Sequence, residues 1–245
     1  MGLFYSRNFD FALFESEKHQ FKQSPFSLHQ FMLKADFRED VTSIELGANR
    51  GILSGQIAEI VKEHWAIDIF LPEEAGRSKK MALNLNTNFS DILPQQYFDR
   101  CIALDVIEHL EDPEQFLANV FKILKTGSRL YLSTANIAYL PMRILLSLGQ
   151  FNYGKRGILD RTHKRLFTVT TLKRALKSYG FKIEKVIGFA PPLIDLVKNN
   201  RIFWIVEKFH AFLSRLYPNL FSYNFLIIAK RMDAVDDIFK KTINS

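Results

Sequence analysis

The chain has 245 residues, of which 47% are hydrophobic and 24% charged. That is enough for one large α/β domain with its own core, and it is the composition of neither a disordered nor a fibrous chain. A formal net charge of +7 biases the surface toward anionic partners such as phosphorylated substrates, acidic lipid headgroups or nucleic acid. The single cysteine, Cys101, excludes an internal disulfide and a zinc site built on several thiolates, and it suits a reducing compartment.

Arg7, Asp10, Glu15 and Glu17 interrupt the amino-terminal region, and no stretch reaches the roughly 18 apolar residues of a spanning helix. A cytoplasmic location is expected, with peripheral contact at the inner face of a membrane as the variant to keep. Residues 1–40 are expected to form an amino-terminal helical extension. Val41 to Leu46 then reads as a buried strand ending at Gly47, and Gly51 to Glu63 carries Ile52, Leu53, Ile57, Ile60 and Val61 at helical spacing. Further strands are predicted at Trp65–Ile69, more weakly at Met81–Leu85, then at Phe98–Leu104 and Leu130–Thr134, with an acidic helix start at Glu111 between the last two. Strands alternating with helical crossovers imply a doubly wound, mostly parallel sheet whose ligands sit at the carboxyl ends of the strands.

Beyond residue 137 the texture changes. An apolar helix (Ile137–Leu148), a polar loop (Gln150–Lys164), a helix (Thr170–Ser178) and a strand (Lys182–Phe189) are predicted, followed by a long apolar helical stretch (Leu193–Tyr217) and a last, antiparallel strand (Tyr223–Ala229). Residues 41–245 are therefore expected to be one domain, with segments 137–165 and 191–220 as a helical cap.

The first site candidate is IELGANRG, residues 44–51. A glycine at a strand end lets the backbone turn sharply and approach a ligand closely. Asp68 ends the next predicted strand, roughly 20 residues beyond the first glycine, where a carboxylate can accept from the vicinal hydroxyls of a ribose. Strand, glycine turn, helix, strand and acid together describe a nucleoside site.

These residues resemble motif I of the class I S-adenosylmethionine-dependent methyltransferases, with Glu45, Gly47 and Gly51 matching and Asn49 standing where the middle glycine is usual. FDRCIALDVIEHLEDPEQFL (98–117) and KILKTGSRLYLSTANI (122–137) are similar to the segments around the fourth and fifth strands of the ubiquinone-biosynthesis O-methyltransferases. The resemblance covers about residues 40–190. It implies a Rossmann-like fold and S-adenosylmethionine as cofactor, with Glu45, Gly47, Asn49, Gly51, Asp68 and Leu104 around it. Asn84, Asn86 and Asp91 are candidates for adenine contact, in a stretch that reads equally as a solvated loop.

The second candidate is Asp105, Glu108 and His109, spaced to share one side near a strand's carboxyl end if the chain turns helical there. Such residues also serve as caps and hydrogen-bond partners, and Asp105 suits a cap. His163, in GILDRTHKRLFT (157–168), should fall beside the same sheet edge. The four are similar to the acid, acid–His and later His that bind a divalent ion in small-RNA 2′-O-methyltransferases and ubiquinone-type O-methyltransferases. The resemblance implies magnesium, manganese or zinc on Asp105, Glu108, His109 and His163. Without a metal, His163 or His109 would act as general base, with Asp105 in support.

In the carboxyl-terminal helical stretch Ile202, Val206, Phe209, Leu213 and Leu216 repeat at helical spacing. Covering a core is the commoner role of such a stripe, and lying on a membrane the other. GQFNYGKRGILDRTH (149–163) also resembles a segment of bacterial methyltransferases acting on glycans or lipid-linked sugars, and it suggests an anionic acceptor near Lys155, Arg156, Arg161 and Arg165. The reading is thus a methyltransferase, with O-methylation of a small-molecule, glycan or lipid-linked acceptor expected. RNA 2′-O-methylation, an inactive cofactor-binding scaffold and a nicotinamide-dependent oxidoreductase are the alternatives.

Overall fold

A computed structural model of the chain describes residues 27–191 and 201–233, with the backbone alone for residues 201–204. Seven strands form one sheet: β1 (Thr42–Leu46), β2 (Glu63–Asp68), β3 (Lys79–Ala82), β4 (Phe98–Leu104), β5 (Leu124–Ala135), β6 (Phe181–Phe189) and β7 (Asn224–Arg231). Their spatial order is β3-β2-β1-β4-β5-β7-β6. The first five pair in parallel, whereas β7 runs antiparallel to both of its neighbours, β5 and β6. This is the Rossmann-like doubly wound sheet with an antiparallel last strand, and the order reverses between β1 and β4, where such sheets bind ligands.

The described helices are α1 (Leu28–Met32), α2 (Ile52–Ala58), α3 (Pro113–Ile123), α4 (Leu140–Ser147), α5 (Val169–Ser178), α6 (Arg201–Leu216) and α7 (Pro218–Phe221). Period-two alternation sends neighbouring strand residues to opposite faces. Leu130 and Leu132 of β5 join one core cluster with Phe116, Leu117 and Val120 of α3 and Leu172 and Leu176 of α5. Tyr131 between them joins another, with Met32 of α1, Leu53 and Ile57 of α2 and Phe189. Local signals set the helix ends: Asp112 caps α3 by accepting from Gln115 N at 2.8 Å ahead of Pro113, and Thr168 and Thr171 form a reciprocal capping box at α5.

Several boundaries differ from the sequence expectation, each for a physical reason. α2 stops at Ala58 instead of running to Glu63, because Arg77 reaches across to donate to Ala58 O at 2.6 Å and Val61 O at 3.2 Å and so satisfies the helix's carboxyl end. β3 begins at Lys79, two residues ahead of the predicted Met81, since an edge strand tolerates lysines and Lys79 pairs with Glu63 at 2.8 Å. In the expected amino-terminal extension, residues 1–26 lie outside the described residues. From Ser27, which accepts from Gln30 N at 3.3 Å, the chain already belongs to the core through Leu28 and Met32. The predicted apolar helix at 137–148 contracts to α4, with no buried residue. Of the apolar stripe on α6, Val206, Phe209 and Leu216 are exposed and Leu213 is half-buried, while Glu207, Ala211 and Ser214 are buried instead; the side chain of Ile202 lies outside the described residues.

Candidate active site

The chain after β1 turns under β2. Gly47 N and Ala48 N both donate to Ile67 O, at 2.8 and 2.9 Å, so the turn stays bonded to the neighbouring strand. Gly47 sits at φ 79°, and a Cβ there would come within 2.2 Å of Val106 Cγ2, which only glycine avoids. Asn49, the departure from motif I, adopts φ 52°, a left-handed conformation open to asparagine. Gly51, at φ 89°, faces the backbone of Ala75, where a Cβ would approach to 2.8 Å. Its observed neighbour is thus a packing contact.

Asp68 closes the turn. Its Oδ2 accepts from Asn49 N and its Oδ1 from Ile69 N, both at 2.7 Å. A carboxylate offers about four acceptor positions, so each oxygen retains capacity for a hydroxyl donor. Leu104 ends β4, in register with Ser133.

Beneath this turn lies a buried polar chain that the sequence reading missed. Ser54 Oγ donates to Glu45, His64 Nε2 lies 3.0 Å from Ser54 Oγ, and Ser43 Oγ lies 2.7 Å from His64 Nδ1. Because the Ser54 hydrogen is used on Glu45, Nε2 must donate to Ser54, leaving Nδ1 to accept from Ser43. Burial pushes Glu45 up to about 7, even against the Ser54 hydrogen bond, and burial pushes His64 down to about 3. No local motif announces this chain, since its members come from β1, α2 and β2.

Among the expected adenine contacts, Asn84 Oδ1 accepts from Asn86 N at 2.9 Å and Asn86 Oδ1 from Glu111 N at 2.8 Å, while Asp91 ends a short 3-10 turn. The two asparagines shape their own loop and tie it to the start of the next.

Val106, in contact range of Gly47, leads into the 3-10 turn Ile107–His109 at the carboxyl end of β4. The segment after α4 is zipped onto this turn, with Lys164 N and Arg165 N donating to Glu108 O at 2.7 and 3.2 Å. The two histidine rings meet edge to face at 4.8 Å. Glu108, His109 and His163 each offer a ligand atom, and these lie within 4.8 Å of one another. His163 Nδ1 sits 2.9 Å from Ile158 O and His109 Nδ1 3.2 Å from Thr162 O. Carbonyls only accept, so both neutral imidazoles carry the proton on Nδ1 and keep Nε2 basic, the tautomer of a metal-binding histidine. Glu108 is buried, with Oε1 reached weakly by Ala135 N at 3.4 Å and Oε2 buried without a hydrogen-bond partner. Burial first, then the charge of Asp105, holds its carboxyl well above the usual carboxylate range. An orphaned buried oxygen beside two oriented imidazoles fits a divalent cation.

Asp105 does not join that set, a correction to the expected quartet. Its backbone is left-handed at φ 54°, and its Oδ1 accepts from Ser133 Oγ at 2.8 Å and Asn224 Nδ2 at 2.6 Å. The side chain is anchored to β5 and β7, and Asn224, more than a hundred residues away, gave no sequence signal. Of the residues expected near an anionic acceptor, Arg165 pairs at the surface with Glu114, as its neighbour Lys164 does with Glu111.

A glycine turn against an acid with spare acceptor capacity, at the switch point of a doubly wound sheet, is the arrangement of the nucleotide-binding α/β proteins. The profile of a family described as "Methyltransferase domain" matches residues 15–186, and the chain belongs to that family. It is similar to a probable S-adenosylmethionine-dependent methyltransferase of Mycolicibacterium smegmatis, 31% identical over 148 residues, covering 59% of this chain and 53% of that protein. It is also similar to the ubiquinone biosynthesis O-methyltransferase of Xanthomonas euvesicatoria pv. vesicatoria, 26% identical over 156 residues, covering 59% of this chain and 64% of that one. The chain thus spans about half to two thirds of the length of these curated relatives. A crystal structure of a SAM-dependent methyltransferase from Archaeoglobus fulgidus shares the fold at a TM-score of 0.61 and 20% identity, over 90% of this chain and 99% of that one. Family and fold support S-adenosylmethionine as the cofactor and leave the nicotinamide alternative without support.

Proposed function

We propose that this protein is an S-adenosylmethionine-dependent O-methyltransferase whose acceptor hydroxyl is prepared by a divalent cation on Glu108, His109 and His163. The observation that carries the reading is the convergence of one carboxylate and two imidazoles within 4.8 Å, at a turn that abuts the Gly47 loop through Val106. The ubiquinone biosynthesis O-methyltransferases among its relatives support oxygen as the accepting atom. Two imidazoles to one carboxylate favour manganese or zinc over magnesium, which prefers oxygen donors.

The sulfonium of S-adenosylmethionine supplies an electrophilic methyl group, and a divalent cation supplies charge that lowers the pKa of an acceptor hydroxyl. The chain's own tasks are positional. Asp68 holds the ribose hydroxyls while its bonds to Asn49 N and Ile69 N keep the turn closed. The Nδ1 contacts with Ile158 O and Thr162 O aim the two imidazoles. With both Nε2 atoms turned to the cation, the acceptor's proton would pass to solvent as its oxygen attacks the methyl group in line. Small molecules, glycans and lipid-linked sugars bearing a hydroxyl are the acceptors proposed.

Calorimetric titration with S-adenosylmethionine and S-adenosylhomocysteine, after chelation and again with manganese or zinc, tests the reading. Micromolar cofactor binding and metal binding that releases protons, lost in Glu108→Gln, are expected. Absence of cofactor binding under every condition would overturn the methyltransferase assignment, and metal-independent turnover on hydroxyl acceptors would overturn the cation.

A further inference from the structure

α6 is turned inside out relative to an ordinary amphipathic helix. Glu207, Ala211 and Ser214, at successive helical spacing, face inward with 2%, 6% and 0% exposure. His210 Nε2 and Ser214 Oγ both donate to Phe221 O at 2.8 Å. On the other face Ile205, Phe209, Phe212 and Leu216 stand 56%, 62%, 60% and 55% exposed. A helix covering a core presents the reverse. Such a contiguous apolar stripe marks an interaction surface.

α4 adjoins it. Tyr139, just ahead of α4, stacks on His210 at 5.8 Å, and Arg143 donates to Asn219 O of α7 at 3.3 Å. Ile144, Leu145, Leu146 and Leu148 are exposed, followed by Phe151 and Tyr153 in the next loop.

Charge identifies what covers these helices. Across residues 137–165 and 201–223 the only acids are Asp160 and Glu207, and both are buried. Arg143, Lys155, Arg156, Arg161, Lys208 and Arg215 are exposed. An apolar stripe among cations, with no exposed carboxylate among the described residues of these two segments, suits the headgroup and acyl boundary of an anionic bilayer. A second copy meeting this face isologously would set cation against cation. No described helix is long and apolar enough to cross a membrane, so contact from one side is what the geometry permits.

We infer that α6 and α4 form a docking face for an anionic membrane surface, which brings the acceptor side of the site to the lipid. The docking stands without the proposed chemistry, and only its consequence rests on that reading: the hydroxyl acceptor would be lipid-borne. α4 begins a few residues beyond the carboxyl end of β5, the sheet edge that carries the candidate site.

Vesicle co-sedimentation of the full chain tests this. Vesicles of equimolar phosphatidylglycerol and phosphatidylcholine should bind the protein, with affinity falling as salt rises, and pure phosphatidylcholine should bind it at least about tenfold more weakly. The exposed double substitution Phe209→Ser and Phe212→Ser should weaken binding to anionic vesicles by about tenfold or more while S-adenosylmethionine affinity stays unchanged. Should the variant fold poorly, hydrogen exchange on the unaltered protein reads the same face, and protection of residues 140–148 and 205–217 by anionic vesicles is expected. No binding to anionic vesicles, no such protection, or undiminished binding by a folded variant overturns the inference. A vesicle-free dimer that dissociates in the variant assigns the face to a second copy and overturns it as well. Vesicle binding without S-adenosylmethionine binding would instead defeat the methyl-transfer reading alone.

Discussion

Replacing Asp68 with alanine removes a carboxylate that accepts from Asn49 N and Ile69 N, each at 2.7 Å, and, on our reading, from two ribose hydroxyls. Hydrogen bonds to a charged partner are worth about 1.5–3 kcal/mol each, and sharing among four donors brings the ligand's part toward the lower end. A loss of about 1–3 kcal/mol in S-adenosylhomocysteine affinity is expected, roughly 5- to 150-fold in Kd. The loss mixes ribose recognition with slackening of the Asn49 turn, and a cycle separates the two. Calorimetry on wild type and Asp68→Ala, each with S-adenosylhomocysteine and its 2′-deoxy analogue, gives the coupling energy directly. If Asp68 holds the ribose, the deoxy analogue binds more weakly to wild type and equally well to the variant. Additive losses would refute ribose recognition and leave Asp68 as a clamp on the turn.

His163→Ala should leave cofactor affinity nearly intact, lower turnover by about a hundredfold or more and weaken manganese or zinc binding by about 10- to 100-fold; turnover assays beside metal titration check it, and normal turnover would reduce His163 to a loop residue. Asn49→Gly should change cofactor affinity by less than about threefold, because the asparagine already occupies the left-handed conformation a glycine would supply; a large gain by calorimetry would mean its side chain obstructs the cofactor. Gly51→Ala should destabilise the fold by roughly 2 kcal/mol or more, since it strains a φ of 89° and drives a methyl into the Ala75 backbone; an unchanged urea midpoint would contradict that packing. The buried pair beneath the turn predicts a pH dependence of two signs. His64, with its folded pKa pushed down to about 3, contributes stability that is present above its unfolded value near 6.5 and lost as pH falls toward 3. Glu45, pushed up to about 7, contributes stability that is present below its unfolded value near 4.5 and lost as pH rises through 7, so the two offset one another between those unfolded values. His64→Gln removes one side, and the stability difference between wild type and variant should grow with pH up to about 6.5 by at most about 1.4 kcal/mol per unit. Parallel urea-unfolding curves across that range would sink the argument.

What could be read from the chain in advance was local. Gly47 and Asp68 announce themselves because a strand end, a sharp turn and the next strand end are neighbours along the sequence. Glu108, His109 and His163 meet because their loop is zipped by backbone bonds to Glu108 O, a meeting that the family resemblance anticipated and spacing alone did not require. The misreadings are long-range. Asn224 and Ser133 take Asp105 out of the metal-competent set, and Arg77 cuts α2 short. In α6 the helical period was legible, but the direction of its apolar face was not. Periodicity defines a stripe without saying which way it points, and here Glu207 and Ser214 took the inside.

Where the chain leaves the sheet and where it returns has one further consequence. Phe189 and Asn224 are register partners across β6 and β7, so everything between them is the loop of an antiparallel hairpin closed at its base by its own ladder. The entropy of closing a loop grows only logarithmically, about 0.6 kcal/mol for each doubling of length. Lengthening this excursion therefore costs the ladder little in closure entropy, whereas trimming it would also remove the packing of the buried Ala211 and Ser214. The sheet with its Gly47 turn and this excursion are in that sense separately heritable parts, and a descendant could lengthen the one hairpin loop while every residue of the Gly47 turn stayed as it was.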